Sequence, residues 1–158
     1  MIKGLYEAHL PVHNLEVSIP FYESLGLKLY KRYEDTAFFW IVKEQSWLGL
    51  WEGEEYKTPY HPSLRHLAFQ VDFEFLYTSV QWLQDRNIEP VPFGNRNTIE
   101  PFVRPNQGNA SVYFKDPDHN SIEFISFLKV PDKLKHITKK LSLEEWNKLS
   151  QSHLRKES

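Results

Sequence analysis

The chain has 158 residues, 41% hydrophobic and 25% charged, a length and balance that suit one globular domain with its own core. Its formal net charge of −2 gives no electrostatic case for nucleic acid or an acidic membrane. No apolar run approaches the ~20 residues of a membrane span. The absence of cysteine excludes disulfides, cysteine metal sites and a thiol nucleophile.

LYEAHLPV (5–12) alternates as a strand, with Tyr6, Ala8, Leu10 and Val12 on one face and Glu7, His9 and Pro11 on the other. Asn14 stands at an N-cap position before LEVSIPFYESLG, where Leu15, Ile19, Tyr22 and Leu25 have helical spacing and Gly26 supplies the stop. Pro20 inside this stretch predicts a kink or a short helix. KLYKRYE, TAFFWIV and SWLGLWE follow as three short strands, so the first half is βαβββ.

The polar stretch 53–63 has the character of a linker. LRHLAFQV (64–71) then resumes as a strand, with Leu67, Phe69 and Val71 on one face and His66, Ala68 and Gln70 on the other. FEFLYTSVQWLQDRN predicts a helix. IEPVPF, ASVYFK and NSIEFIS predict strands, with a long loop over 94–109 of the kind that often serves as a functional lid. The second half is βαβββ again, and the two halves overlay in element order and apolar spacing. His9 then aligns with His66, and Gly49 stands opposite Glu123. In the tail, SLEE (142–145) has the form of a capping box and predicts a helix from about 143, with Leu143, Trp146, Leu149 and Leu154 on its apolar side.

His9, His66 and Glu123 lie mid-strand at matched positions of a repeated unit, on faces with fewer large apolar side chains. Two imidazoles and a carboxylate make a ligand set for divalent Fe, Mn, Ni or Zn, with positions left for substrate or water. A cation would also remove the cost of burying an unpaired carboxylate. If the 116–120 turn centres on Asp118, Tyr113 falls across from Glu123, where a phenol could bond a substrate oxygen or move a proton. Arg96 and Arg104 in the long loop are candidates for an anionic substrate. Trp51, with Phe39, Trp40 and Trp47, supplies aromatic wall. Taken singly, each of these residues has an ordinary structural role as the alternative. His119 in the turn could tolerate left-handed backbone.

Three stretches, HLPVHNLEVSIPFYESLGLKL, RHLAFQV and VYFKDPDHNSIEFI, make residues 5–128 resemble the vicinal-oxygen-chelate superfamily of glyoxalase I, fosfomycin-resistance thiol transferases, extradiol dioxygenases and bleomycin-resistance proteins. The resemblance implies an α+β fold in which two βαβββ modules form a half-open barrel. It implies a divalent metal held by His9, His66 and Glu123, acting as a Lewis acid on a substrate bound through adjacent oxygens.

Glyoxalase I needs a fourth ligand where this chain has Gly49, with Glu52 and Glu54 close by in register. Fosfomycin enzymes have a small polar or thiol residue where Pro11 stands and a basic residue at Asp132, beside Lys133. The expectation is a single domain over 1–130, with modules of about 4–53 and 63–128, and a tail over 131–158. It is expected to act as a cytoplasmic, homodimeric metal-dependent enzyme on a small molecule. The alternatives are an antibiotic-type binding protein without turnover and a fosfomycin-type thiol transferase.

Overall fold

A computed structural model describes residues 7–54, 66–94 and 96–154. The expected linker therefore lies largely outside the described residues, as do Leu5, Tyr6, Leu64, Arg65 and the side chain of Leu154. The chain divides into two compact units, residues 1–67 with 115–121, and residues 68–114 with 122–158.

In the first unit, β1 (Glu7–Val12), α1 (Leu15–Ser24), β2 (Lys28–Arg32), β3 (Thr36–Val42) and β4 (Ser46–Glu52) follow the order read from the sequence. The strands form an open sheet, β1-β4-β3-β2, in which β1 runs parallel to β4. Asn14 caps α1 by accepting from the Glu16 N–H at 2.7 Å. Gly26, at φ 93°, ends the helix with the Leu27 N–H bonded to the Tyr22 carbonyl and the Gly26 N–H to that of Glu23. The ten-residue helix runs through Pro20. Leu15, Ile19 and Tyr22 bury against a core that includes Leu10, Val12, Phe39, Leu48 and Leu50. Alternation along β1 thus sends Leu10 and Val12 inward and leaves His9 exposed.

The Asp116-Pro117-Asp118-His119-Asn120 turn clusters with this unit and is held by buried hydrogen bonds. Asp116 accepts from the Asp118 and Asn120 backbone N–H groups at 3.0 and 2.8 Å, from the Tyr22 hydroxyl at 2.8 Å and from the Asn120 side chain at 2.6 Å. Burial pushes the Asp116 carboxyl above its ordinary range, and these donors pull it back toward ionisation. Ser18 donates to Asp118 at 3.2 Å, and Asn120 to the Pro11 carbonyl at 3.1 Å. The motif is therefore a turn lock, with Asp116 as its acceptor. His119 sits at φ 64°, where a Cβ is strained. His119→Gly is expected to stabilise the chain by up to about 1 kcal/mol. The expected rise in thermal midpoint is roughly 2–4 °C, and a fall would count against strain at this position.

In the second unit, β5 (His66–Gln70), whose first two residues group with the first unit, is followed by a 3-10 turn over Phe73–Tyr77 and by α2 (Ser79–Gln84). Then come β6 (Pro90–Val91), β7 (Phe102–Arg104), β8 (Asn109–Lys115), β9 (Ser121–Phe127), β10 (Leu141–Ser142) and α3 (Leu143–Leu154). The strand order is β10-β7-β8-β9-β5, with β6 also pairing β8. β5 thus neighbours β9 as β1 neighbours β4. Two open sheets, few helices and a C-terminal helix make the fold α+β, as the sequence implied.

Two expectations change here. The helix over 73–87 is broken at Thr78 into a 3-10 turn and a six-residue helix. Phe75, on the turn, and Trp82, on the helix, meet each other and Phe124 edge-on. The loop over 94–109 contains β7 and a further 3-10 turn at Pro105–Gln107, closed by Gly108 at φ 66°. The capping box forms: Glu145 accepts from the Ser142 N–H at 2.7 Å, and Ser142 from the Glu145 N–H at 3.0 Å. No helix among the described residues is long and apolar enough to cross a membrane.

Candidate functional site

The acid on β9 has a partner that the sequence did not reveal. Arg104, at the end of β7, pairs in register with Asn109 on β8, which places its side chain along the sheet toward Ser111, Tyr113 and Glu123. Four of its five donors are engaged: Nε to Asn109 at 2.7 Å, Nη1 to the Tyr113 hydroxyl at 3.2 Å, and Nη2 to Ser111 at 2.5 Å and Glu123 at 2.6 Å. Arg104 is 9% exposed and Glu123 4%, so the ion pair is buried. Burial works against the Arg104 charge, but hydrogen bonds to Tyr113 and Glu123 raise its pKa above the usual value. The Tyr113 phenol is pushed up to about 12, chiefly by burial; the Arg104 bond opposes the rise and a bond to Glu123 adds to it. Tyr113 therefore keeps its proton at neutral pH and is a donor, with no capacity as a base there. Its ring stacks on Phe93, centroids 4.3 Å apart.

Asn109 and Ser111 were not anticipated, although their alternation with Tyr113 marks one polar face of β8. Arg104 was anticipated as a loop cation for an anionic substrate; it lies at the end of β7, buried and bonded to protein. Arg96 lies half-buried over the Phe102 ring, with its guanidinium carbon 4.9 Å from the centroid.

In the first unit, His9 lies beside Gly49, its register partner on β4. A Cβ built on Gly49 would stand 2.3 Å from His9 Nδ1 and 2.7 Å from Cε1, so the imidazole occupies the space a side chain there would need. Trp51 Nε1–H donates to His9 Nδ1 at 2.7 Å, and Phe38 meets the ring edge-on. Indole nitrogen is only a donor, so Nδ1 is the basic nitrogen and the neutral ring carries its proton on Nε2. Trp51, anticipated as substrate wall, is thus engaged with His9. Glu52 accepts from the Leu15 N–H at 2.5 Å, which commits it to the start of α1. His66 Nδ1 faces the Ser121 carbonyl at 3.1 Å. A carbonyl only accepts, so Nδ1 carries the proton and Nε2 is the basic nitrogen, the tautomer of most histidine ligands.

Among the described residues no three His, Asp or Glu side chains are grouped as a metal ion requires. His9 and His66 belong to the first unit and Glu123 to the second. Within its own unit Glu123 is bonded to the Arg104 cation, and Trp51 donates to Nδ1 of His9.

The class defined by this fold is an α+β protein with βαβββ order in the first half and the same order, with β7 inserted, in the second. Residues 4–124 match the model of the Glyoxalase/Bleomycin resistance protein/Dioxygenase superfamily, and the chain belongs to that superfamily. Among solved structures, it is similar to an integron cassette protein from the mobile metagenome of a Halifax Harbour sewage outfall, at 24% identity and TM-score 0.63, covering 80% of this chain and 100% of that one. It is similar to lactoylglutathione lyase from Agrobacterium tumefaciens, at 19% identity and TM-score 0.59, covering 79% and 94%. It is also similar to the fosfomycin resistance protein FosX from Mesorhizobium loti, at 21% identity and TM-score 0.56, covering 80% and 93%. At these identities the likeness is one of fold.

Proposed function

We propose that the chain is a small-molecule enzyme of its superfamily, with Tyr113, held by Arg104 and Glu123, as the hydrogen-bonding group at the reacting oxygen. The observation that carries this reading is the phenol fixed between a guanidinium and a carboxylate, with its pKa at about 12. The phenol's single O–H is bonded to Glu123, so it would bond a substrate oxygen, or the charge developing there, once Glu123 turns to a cation, and would do so without ionising. The family motif adds His9, His66 and Glu123 as candidate ligands for divalent Fe, Mn, Ni or Zn. Such a cation would supply Lewis-acid polarisation of adjacent substrate oxygens. Because Glu123 already has a buried cationic partner, a second reading has specific support: a binding protein that sequesters a small ligand without turnover.

Two measurements on protein purified without chelators separate these. The enzyme reading expects near-stoichiometric metal, lost in His66→Ala by about 10–100-fold in affinity. It also expects turnover of a catechol, an α-keto hemithioacetal or an epoxide, reduced by Tyr113→Phe by about 10²–10⁴-fold. Tight ligand binding with no product and no metal dependence would establish the binder instead.

A further inference from the structure

Three cations of the second unit converge on one group of rings. Phe93 stacks on Tyr113 and lies nearly parallel to Phe102, with centroids 5.7 Å apart. Arg104 lies 5.2 Å from the Phe102 centroid, Arg96 4.9 Å from it, and Lys140 4.4 Å from the Phe93 centroid and 5.6 Å from that of Phe102. Among the described residues the carboxylate bonded within this group is Glu123, and it is matched by Arg104, four of whose five N–H donors are bonded to protein. Among the described residues no carboxylate is within ion-pair distance of Arg96 or Lys140. Like charges brought over one ring repel, and cation–π attraction at a half-exposed site is a weak counterweight.

We propose that Arg96 and Lys140 form a subsite for the anionic group of this protein's ligand, a carboxylate, phosphonate or phosphate. The proposal rests on the small-molecule reading above and names its substrate class. Arg96 Nε is a buried donor with no hydrogen-bond partner, an arrangement that proteins rarely leave unanswered. An oxyanion is the acceptor that guanidinium geometry matches.

Lys140 reaches the rings because β10 pairs with β7, Leu141 opposite Val103 and Ser142 opposite Phe102, so the residue before β10 falls beside the end of β7. Leu141 turns into the core, and alternation sends Lys140 to the other face. Its ammonium lies beside Gly94, 3.4 Å from where a Cβ there would stand. Lys140 lies in residues 125–158, beyond the segment that matches the family model.

The test titrates the full-length protein with inorganic phosphate and, separately, with benzoate, by ligand NMR and calorimetry. Wild type is expected to saturate with at least one anion in the low-millimolar range and to weaken as salt rises. Lys140→Met, which keeps the apolar stem, and Arg96→Gln are each expected to lose about tenfold in affinity, while Lys140→Arg retains it. Phosphate alone would assign a phosphoryl or phosphonate ligand, and benzoate alone a carboxylate. Binding of neither anion, or equal affinity in wild type and both charge-removing variants with unchanged thermal midpoints, would overturn the subsite. The readout needs neither metal nor turnover. Absent metal with intact anion binding removes the metalloenzyme reading alone, and turnover without anion binding removes the subsite alone.

Discussion

Arg104→Met is expected to destabilise the chain by about 3–5 kcal/mol, because it leaves Glu123 charged, buried and unpaired. Arg104 is the donor to four protein groups at once, Asn109, Tyr113, Ser111 and Glu123, so its loss also strips a bond from each of three neutral acceptors. For a chain of this length the thermal midpoint should fall by roughly 10 °C. The informative comparison is the double variant Arg104→Met/Glu123→Leu. Replacing a buried pair by apolar groups of similar volume is often neutral, so most of the lost stability should return. Urea denaturation of wild type, both single variants and the double variant gives the coupling energy directly. A single variant within about 1 kcal/mol of wild type would show that Glu123 finds another partner or solvent, contrary to its 4% exposure.

This pair also explains what was and was not legible in the sequence. Residues 7–52 were readable almost to the boundary because each signal there is local. Asn14 and Gly26 cap α1 within a few residues of their partners, and polar breaks separate β2, β3 and β4. The SLEE box was readable for the same reason. β7 and β10 were not, since strands of three and two residues are too short to carry a period, and β7 lies behind Pro101 in a stretch that resembles a loop. Missing β7 hid the partner of Glu123. The acid itself stood out as an anomaly, but the cation that answers it lies two strands away in the sheet. Its alternation with Asn109, Ser111 and Tyr113 becomes meaningful only once Phe102–Arg104 is known to pair with β8. The helix over 73–87 failed through tertiary override: its apolar spacing is compatible with one helix, but the chain breaks at Thr78 where Phe75 and Trp82 reach Phe124 together.

Gly49→Ala is expected to displace His9 and to be felt at Trp51. The added Cβ would stand 2.3 Å from Nδ1 and 3.1 Å from Phe38 Cε1, so either the imidazole rotates away or the β1–β4 pairing spreads. Forcing one methyl into such a seat costs about 1–3 kcal/mol. Moving the ring breaks the 2.7 Å bond from Trp51 Nε1 to the same nitrogen, which should change the emission of an indole that is 50% exposed. His9→Ala/Gly49→Ala removes the clash, so it should recover stability relative to Gly49→Ala without restoring the Trp51 signal. A Gly49→Ala protein with wild-type stability and emission would mean that His9 does not occupy this seat in solution. The same variant bears on the family's fourth-ligand position. If the imidazole fills the space that a side chain at residue 49 would need, a carboxylate placed there by Gly49→Glu must expel His9 before it can join it. Metal content should then fall in Gly49→Glu, measured beside wild type under the same chelator-free purification. A rise would show that both side chains fit on this face of β1 and β4.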